Sequence, residues 1–351
     1  MKAAVYLEPG RIEVTEIPDP EILEDELLIR VRAASICGTD LRIYKHGHFK
    51  IPAGERRVLG HEIAGDVIEV GSRAKGYAVG ERVTVTPNVG CGLCRQCRAG
   101  ANNMCPDYEA FGISLNGGFE EFLRIPGFAV QRGNVFHIPD GVTYAEAALV
   151  EPFSCSYRGQ RQLHVDFEDT VLIVGAGPMG AFHTILAKLA GARKIIVSDL
   201  APVRLENARR LGADVVVNVS STDLAEAVMT ETQGRGADVI VTAVSSPAVQ
   251  AQAVALLATH GRVNFFAGLG AGGTVEIDTN RLHYKGLVLT GTTGSSNSDY
   301  AAALELVGDR RADLSSLVTA TFPLERIHDA FEHSTSGSGM KSMILFDEPG
   351  A

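Results

Sequence analysis

The sequence is short of positive charge. It holds 32 lysine and arginine residues against 42 aspartate and glutamate residues, which gives a formal net charge of −10 at pH 7. A protein that binds a polyanion such as DNA needs a basic cluster, and no such cluster opposes this balance. We therefore expect no nucleic-acid partner.

Long apolar segments are also missing. No stretch reaches the roughly 20 uninterrupted apolar residues that span a bilayer. The N-terminal segment MKAAVYLEPG has one lysine and is broken by Pro9 and Gly10, unlike a secretory signal peptide. These absences predict a cytoplasmic protein with no membrane partner.

The length and composition indicate a folded protein of two domains. The chain has 351 residues, and an average domain has roughly 150. Apolar residues make up 45 % and charged residues 21 %, a composition that excludes intrinsic disorder. No internal repeat or low-complexity tract is present.

The residue pattern changes near residue 155. Before this point, short β-branched runs separated by Gly, Pro and Asn predict a β-rich, barrel-like domain. After residue 165, six buried strands alternate with helices, which predicts a parallel, doubly wound sheet and an α/β fold. The predicted strands are 3–7, 27–33, 63–70, 82–86, 171–174, 194–198, 215–219, 238–244, 262–267 and 287–291.

Three helices and a returning strand complete the prediction. Helices are expected at 202–211, where Gly212 is the stop signal, at 247–259 and at 299–307. The link 262–287 shows little helical signal and is left unassigned. The apolar segment 342–346 is predicted to return to the first domain as a strand.

A glycine motif stands at the head of the second domain. Gly175, Gly177 and Gly180 form G-x-G-x-x-G directly after a predicted strand, and such a turn lets backbone N–H groups and a helix N-terminus bind a pyrophosphate. The next strand ends in Asp199, 24 residues after Gly175. An acidic side chain there accepts hydrogen bonds from both ribose hydroxyls and repels a 2′-phosphate, which favours NAD over NADP.

Six cysteines are present, and four of them are clustered. Cys91, Cys94, Cys97 and Cys105 fall within fifteen positions. In a long, cytosolic-looking chain this spacing indicates a metal rather than disulfides. Four thiolates close a tetrahedral Zn²⁺ shell with no open position, so the predicted zinc is structural.

A second metal set is dispersed along the sequence. It consists of Cys37 in CGTD, His61 and Glu62 in GHE, and Glu151 in EP. One thiolate, one imidazole and one or two carboxylates suit a catalytic Zn²⁺ with an open position. Each part alone is unspecific, since a lone cysteine is more often a small buried residue.

Together these motifs resemble the zinc-containing medium-chain alcohol and polyol dehydrogenases, over nearly the whole chain. The resemblance rests on CGTD at 37–40, GHEIAGDVIEVG at 60–71, the four cysteines, EP at 151–152 and GAGPMG at 175–180 with Asp199. It implies a GroES-like β-barrel catalytic domain at 1–155 and 295–351, with a structural zinc lobe at about 88–108. A Rossmann NAD-binding domain is implied at 156–294.

The resemblance also implies roles for single residues. Cys37, His61 and Glu62 would be catalytic zinc ligands, and Glu151 would bind the metal directly or through water. Thr39 would take the substrate proton. The remaining residues implied to bind the cofactor are Gly175, Gly177, Pro178, Met179, Gly180, Asp199 and Arg204.

One position departs from the family pattern. Threonine and sorbitol dehydrogenases have a relay histidine five residues after the ligand cysteine, and this chain has Arg42 there. His46 or His48 would be the replacement relay, or both are solvated loop residues. Arg42 would bind a substrate phosphate, form an ion pair or bind the cofactor pyrophosphate.

The sixth cysteine, Cys155, is interpreted as a packing residue.

The implied activity is zinc-dependent hydride transfer from a secondary alcohol of a sugar alcohol to NAD, which gives a ketose. The implied cofactors are two Zn²⁺ ions per chain and NAD. A polyol phosphate such as galactitol 1-phosphate, or threonine and other amino alcohols, are the alternative substrates. A non-catalytic NAD-binding protein is the hypothesis from a different class. The family forms dimers and tetramers, so a homodimer or homotetramer is expected.

Overall fold

The structure is a computed structural model that describes residues 1–337 and 339–346. It divides into two compact units, Met1–Ser154 with Gly294–Ala351, and Cys155–Thr293. The catalytic role of the first and the cofactor role of the second stay predictions at this point.

The described residues form the following elements. The strands are β1 (Lys2–Glu8), β2 (Arg11–Glu16), β3 (Leu27–Ser35), β4 (Arg57–Val58), β5 (Glu62–Val70), β6 (Arg82–Val85), β7 (Asn88–Val89), β8 (Glu109–Ala110), β9 (Phe122–Ile125), β10 (Val135–His137), β11 (Thr170–Val174), β12 (Lys194–Asp199), β13 (Val215–Asn218), β14 (Ala237–Thr242), β15 (Leu257–Phe265), β16 (Val288–Gly291), β17 (Val318–Phe322) and β18 (Lys341–Leu345). The α-helices are α1 (Gly38–His46), α2 (Arg95–Arg98), α3 (Gly127–Gln131), α4 (Tyr144–Ala148), α5 (Val150–Leu163), α6 (Pro178–Leu189), α7 (Pro202–Leu211), α8 (Leu224–Glu231), α9 (Pro247–Leu256), α10 (Thr279–Lys285), α11 (Asn297–Gly308) and α12 (Ile327–Ser336). Short 3-10 turns lie at Asn102–Met104, Ser315–Leu317 and Leu324–Arg326.

The first unit is built around β3. The main sheet has the order β10-β6-β5-β3-β18-β17, and β9 also pairs with β3. β3 is buried along most of its length because its apolar residues face a core that includes Ile29, Ile63 and Phe119. The C-terminal strand β18 pairs antiparallel with β3, so the prediction that 342–346 returns to the first domain is confirmed.

The second unit contains a parallel sheet of order β13-β12-β11-β14-β15-β16, and each neighbouring pair runs parallel. All residues of the central strand β11 are buried, as expected for a sheet covered on both faces. Separate apolar clusters flank the sheet. The predicted α/β fold with a doubly wound sheet is therefore confirmed.

The sequence prediction missed some local structure. Helix α9 ends at Leu256 because Leu257 has extended backbone angles, and β15 therefore begins earlier than the predicted strand 262–267. The unassigned link contains α10, whose N-terminus is capped by the Asp278 carboxylate. In the first unit, helix α1 was not predicted. Among the described residues, no helix combines the length and apolar character that a membrane span requires.

A buried histidine lies in the second unit. His183, on α6, has no exposed surface, and its ring packs edge-on against Phe266 with centroids 4.6 Å apart. Neither ring nitrogen has a hydrogen-bond partner. Burial in this apolar site lowers the pKa of His183 from 6.5 to about 3, because the charged form would lose its hydration.

We predict that this histidine makes the fold less stable in mild acid. Between the folded and unfolded pKa values the unfolded chain binds more protons, so the stability that neutral His183 contributes falls as the pH drops below 6.5. The free energy of unfolding should therefore lose about 1.4 kcal/mol from this group between pH 7.5 and 5.5. Denaturant unfolding at both pH values measures it. In His183→Leu this part of the pH dependence should vanish, and parallel pH profiles for the two proteins would contradict the prediction.

Candidate active site

Three of the predicted metal ligands come together in the first unit. Ligand atoms of Cys37, His61 and Glu62 lie within 4.8 Å of one another. Cys37 directly precedes α1, while His61 and Glu62 stand at the beginning of β5. The turn before them needs a glycine, since Gly60 has a φ of 88° and a side chain there would collide with the Phe119 ring. The two sequence motifs thus form one cluster.

The two chain segments adjoin the paired strands β3 and β5, and a buried carboxylate adds further links between them. Asp40 is fully buried, and its Oδ2 accepts a 2.9 Å hydrogen bond from the Cys37 backbone N–H. Its Oδ1 accepts a 3.1 Å bond from the Gly60 N–H and lies 3.3 Å from His61 Nδ1. Because Nδ1 faces Asp40, Nε2 is the nitrogen of His61 left for a metal.

The electrostatics of His61 reflect its acidic neighbours. Burial lowers the pKa of His61, but the Asp40 carboxylate and the Cys37 sulfur outweigh that effect and hold the pKa well above 6.5. Negatively charged groups therefore surround the His61 imidazole, as is typical of a cation-binding site.

A lysine from the C-terminal strand completes the cluster. Lys341 Nζ lies 2.8 Å from Glu62 Oε1 and 2.6 Å from Oε2, and both side chains are buried. Burial lowers the pKa of Lys341, but the charge and hydrogen bond of Glu62 together with the charges of Cys37 and Glu151 outweigh that effect and raise the pKa. Lys341 is consequently the buried counter-ion of Glu62.

Glu151 takes a more distant position. It lies buried in the first turn of α5. Within the described residues, its carboxylate stands outside the group whose ligand atoms lie within 4.8 Å. Its effect on the Lys341 pKa shows that it is nevertheless close enough to act through its charge.

Thr39 has an arginine as its neighbour. Arg42 lies one turn further along α1, and its Nη2 donates a 3.3 Å hydrogen bond to Thr39 Oγ1. Neither His46 nor His48 forms a hydrogen bond with Thr39 among the residues that the structure describes. His48 instead stacks on Phe49, and burial together with the charges of Arg42 and Lys50 lowers its pKa.

The four clustered cysteines also converge. Their sulfur atoms lie within 4.8 Å of one another, and Cys94 and Cys105 are 3.8 Å apart. Backbone N–H groups of Leu93 and Cys94 donate to the Cys91 sulfur and lower its pKa to about 6. Gly90 is required here because a side chain at this position would lie 2.6 Å from the Cys97 sulfur.

The glycine motif in the second unit has the geometry of an anion-binding turn. Gly175 has a φ of 101°, and a side chain at Gly180 would lie 1.8 Å from the Gly175 carbonyl oxygen. Gly177 is the N-cap of α6, with Pro178 as first helical residue and Met179 next, so free N–H groups point out of the helix start.

The acidic and basic side chains beside this turn are in place as well. Asp199 ends β12, and its Oδ2 accepts a 2.7 Å hydrogen bond from the Ala176 N–H. The Arg204 guanidinium reaches Gly177, since its Nη1 lies 3.8 Å from where a side chain at Gly177 would begin. The predicted cofactor residues therefore share one end of the parallel sheet.

Comparison with known proteins agrees with this geometry. Residues 23–140 match the alcohol dehydrogenase GroES-like domain, and residues 178–309 match the zinc-binding dehydrogenase family. Sorbitol dehydrogenase of Bacillus subtilis (strain 168) is 34 % identical over 336 residues, 95 % of this chain and 93 % of that protein. The chain belongs to the zinc-binding alcohol dehydrogenases. It is accordingly an oxidoreductase that acts on alcohols, as predicted.

Other similar members of the family differ from sorbitol dehydrogenase in the substrate or cofactor that their names give. An L-threonine 3-dehydrogenase of Alteromonas mediterranea is 33 % identical over 339 residues, 96 % of each chain. A zinc-binding dehydrogenase from Sinorhizobium meliloti 1021, solved with NADP, superposes with a TM-score of 0.91 at 29 % identity, covering 98 % of this chain and 99 % of that one. The GroES-like and doubly wound parts of the predicted fold are thus confirmed, and the substrate is not fixed by similarity.

The cysteine lobe of this dehydrogenase fits a zinc ion. With Zn–S bonds of about 2.3 Å, a tetrahedral site has sulfur atoms about 3.8 Å apart, and Cys94 and Cys105 show this separation. Burial raises the pKa of Cys97 to about 12, in contrast to the lowered pKa of Cys91. Four adjacent thiolates repel one another, so a divalent cation is needed to ionise them all.

The Cys37 cluster of this dehydrogenase also fits zinc, by the chemistry of its donors and by one unsatisfied carboxylate oxygen. Glu62 Oε2 is buried without a hydrogen bond of good geometry. Such a buried atom is costly unless a further partner is bound. A thiolate, an imidazole and a carboxylate with an open position are the ligands of a catalytic zinc.

Sequence reasoning missed two residues of this dehydrogenase site. Asp40 lies in the CGTD motif but was not predicted to have a role of its own. Its spacing of three residues from Cys37 is nevertheless that of a helix capping box. Lys341 gave no signal at all, since it stands 279 residues from Glu62 along the chain. The assignment of ligand and cofactor residues itself stays a prediction.

We predict that the cysteine lobe binds one of two zinc ions per chain. In Cys97→Ser the zinc content should fall from two to one, because the tetrahedral set loses a thiolate. The melting temperature should fall too, since the metal contributes to folding. Elemental analysis and thermal unfolding measure both. Cys155→Ser, the matched control outside both clusters, should retain two zinc ions, and a Cys97→Ser protein with two would contradict the assignment.

Proposed function

We propose that the protein oxidises a secondary alcohol group of a sugar alcohol to a ketone, with NAD⁺ as hydride acceptor and a proton as second product. The observation that carries this proposal is the convergence of Cys37, His61 and Glu62, with Thr39 two residues after Cys37 in the sequence. The identity to sorbitol dehydrogenase supports the polyol class.

The residues of the proposed site have different roles in the reaction. A zinc ion held by Cys37, His61 and an acidic side chain would supply Lewis-acid chemistry that makes an alcohol proton easier to remove. Asp40 keeps His61 in the orientation that leaves Nε2 free. Thr39, two residues from Cys37, offers the hydroxyl that accepts the proton and passes it to solvent.

Arg42 does not replace a relay histidine. A guanidinium stays protonated in proteins and has no lone pair to accept a proton. Its hydrogen bond to Thr39 Oγ1 instead places positive charge beside the oxygen that accepts the substrate proton and passes it on. Arg42 therefore favours proton loss from the Thr39 hydroxyl while transferring no proton itself.

We propose NAD rather than NADP as the cofactor. Asp199 would accept hydrogen bonds from the ribose hydroxyls, and its carboxylate would repel a 2′-phosphate. The free N–H groups at the start of α6 would bind the pyrophosphate. Arg204, which reaches the glycine turn, would lie against the adenine end.

The direct test is a rate measurement. Reduction of the nicotinamide cofactor should be fast with NAD⁺ and free polyols, much slower when NADP⁺ replaces NAD⁺, and abolished by a chelator that removes the catalytic zinc. The panel also contains polyol phosphates and threonine. No turnover of any alcohol by a protein that holds two zinc ions would contradict the proposed substrate class.

A second candidate substrate has an anionic group, and a local charge pattern favours it. Residues 41–54 hold Arg42, Lys45 and Lys50 and no acidic residue, in a chain of net charge −10. Lys50 Nζ donates to the Tyr108 carbonyl and lies over that ring. Among the described residues, neither Arg42 nor Lys50 has a carboxylate partner. A phosphate or carboxylate of the substrate would supply one.

If the substrate is anionic, Arg42→Gln should raise the KM for polyol phosphates or threonine by about tenfold or more, because a charge-assisted hydrogen bond is lost. The KM for neutral polyols should change little. Lys45→Gln, an exposed cation on the same helix, is the matched control. Equal effects of Arg42→Gln on charged and neutral substrates would rule the second candidate out.

We also propose a cytoplasmic homo-oligomer. Cys37 and the four clustered cysteines form no disulfide, which suits a reducing compartment. β16 is the edge strand of the parallel sheet, with Val288 48 % exposed and Tyr284 just before it 80 % exposed. Uncovered edges invite pairing with another strand, and light scattering in solution would measure the number of chains.

A further inference from the structure

The Lys341–Glu62 pair has an unusual position. The Lys341 side chain is 5 % exposed and that of Glu62 is fully buried. Besides its contact with both carboxylate oxygens, Lys341 Nζ donates a 2.8 Å hydrogen bond to the Ile36 carbonyl. A lysine this deeply buried requires an anion and hydrogen-bond acceptors to offset its lost hydration, and here both are present.

The groups around this ammonium are the groups of the metal cluster. Besides Glu62, its charge interacts with Cys37 and Glu151. The ammonium therefore lies among the ligands of the proposed catalytic metal, where a second cation is electrostatically unfavourable unless the ligands are strongly negative. A role limited to packing does not need a cation at this place, because an apolar side chain of similar volume would fill it.

Lysine and metal compete for the same atoms. A carboxylate has two oxygens, and both oxygens of Glu62 lie within 2.8 Å of Lys341 Nζ. One of them, Oε2, accepts no hydrogen bond of good geometry, although it is the closer of the two. Glu62 Oε2 can bind a metal only if it interacts with the metal and the Lys341 ammonium at the same time, or if the carboxylate rotates away from the ammonium.

We propose that Lys341 is a positioning residue that restrains Glu62 from full metal coordination, so that the carboxylate is shared between the lysine ammonium and the zinc ion. The inference rests on the proposed catalytic metal and is independent of the substrate. Its consequence is a charge adjustment: Cys37, Glu62 and the nearby Glu151 together carry one negative charge more than a divalent cation neutralises, and Lys341 offsets that charge. The centre thereby keeps its ability to withdraw electron density from an alcohol oxygen.

The test is a zinc titration that needs no catalysis. Metal-free wild type, Lys341→Met and Lys341→Arg are titrated with Zn²⁺ against a chelator of known affinity. In Lys341→Met the affinity of the Cys37 site should rise on the order of tenfold, because Glu62 is released and a repelling cation is gone; loss of an outer group that supports a metal ligand would instead lower the affinity by about tenfold or more. Lys341→Arg should stay near wild type, and the four-cysteine site, an internal control, should not change.

Thermal unfolding provides a second readout. Without metal, Lys341→Met should melt below wild type because it buries an unpaired carboxylate, and zinc should raise its melting temperature by more than it raises that of wild type. If Lys341 only supported the fold, both forms of the variant would melt lower by a similar amount. Should Lys341→Met not fold without metal, Lys341→Gln, which keeps a donor for the Ile36 carbonyl, gives the same comparison.

The outcomes separate this inference from the proposed function. Unchanged or weaker zinc binding at the Cys37 site in Lys341→Met overturns the role of Lys341. A wild-type protein that binds only one zinc ion overturns the proposed catalytic centre itself. Tighter binding restricted to the Cys37 site supports both.

Discussion

The buried carboxylate of Asp40 is the interaction on which the site of the first unit depends. Through two backbone N–H groups it fixes the start of α1 against the turn that precedes β5, and its proximity to Nδ1 orients His61. The antiparallel pairing of β3 with β5, with Ser35 opposite Glu62, brings Cys37 and His61 near each other, and Asp40 fixes the backbone and side-chain positions there. Hydrogen bonds to a buried charged group are among the stronger ones in proteins, so the cluster is organised before any metal binds.

The charge balance of this cluster follows from the same burial. Asp40, Glu62 and Glu151 are all nearly inaccessible, and among the described residues the buried cation beside them is Lys341. Buried acids without enough positive charge destabilise a fold or bind protons or metals. The raised pKa of His61 and the ion pair of Glu62 are two responses to this excess. A divalent cation is the third response, and family membership makes it the expected one.

Much of this architecture could be predicted from the sequence because the signals are local. The glycine turn, the parallel strands and the cysteine spacing each depend on residues near one another, and the helix Pro202–Leu211 was predicted with the bounds that the structure shows. The return of the apolar segment 342–346 to the first unit as a strand was also predicted. Lys341 and the hydrogen bond of Arg42 to Thr39 could not be predicted, since they depend on tertiary packing and on side-chain direction.

The central claim is that the chain holds two chemically different zinc centres, one with four sulfur ligands and one with Cys37 as its only sulfur. X-ray absorption at the zinc edge of the purified protein, loaded to two ions per chain, measures this directly. The account predicts an average of about 2.5 sulfur ligands per zinc, the mean of four and one, with nitrogen or oxygen in the remaining positions. An average of four, or a protein that cannot be loaded beyond one zinc per chain, would contradict it.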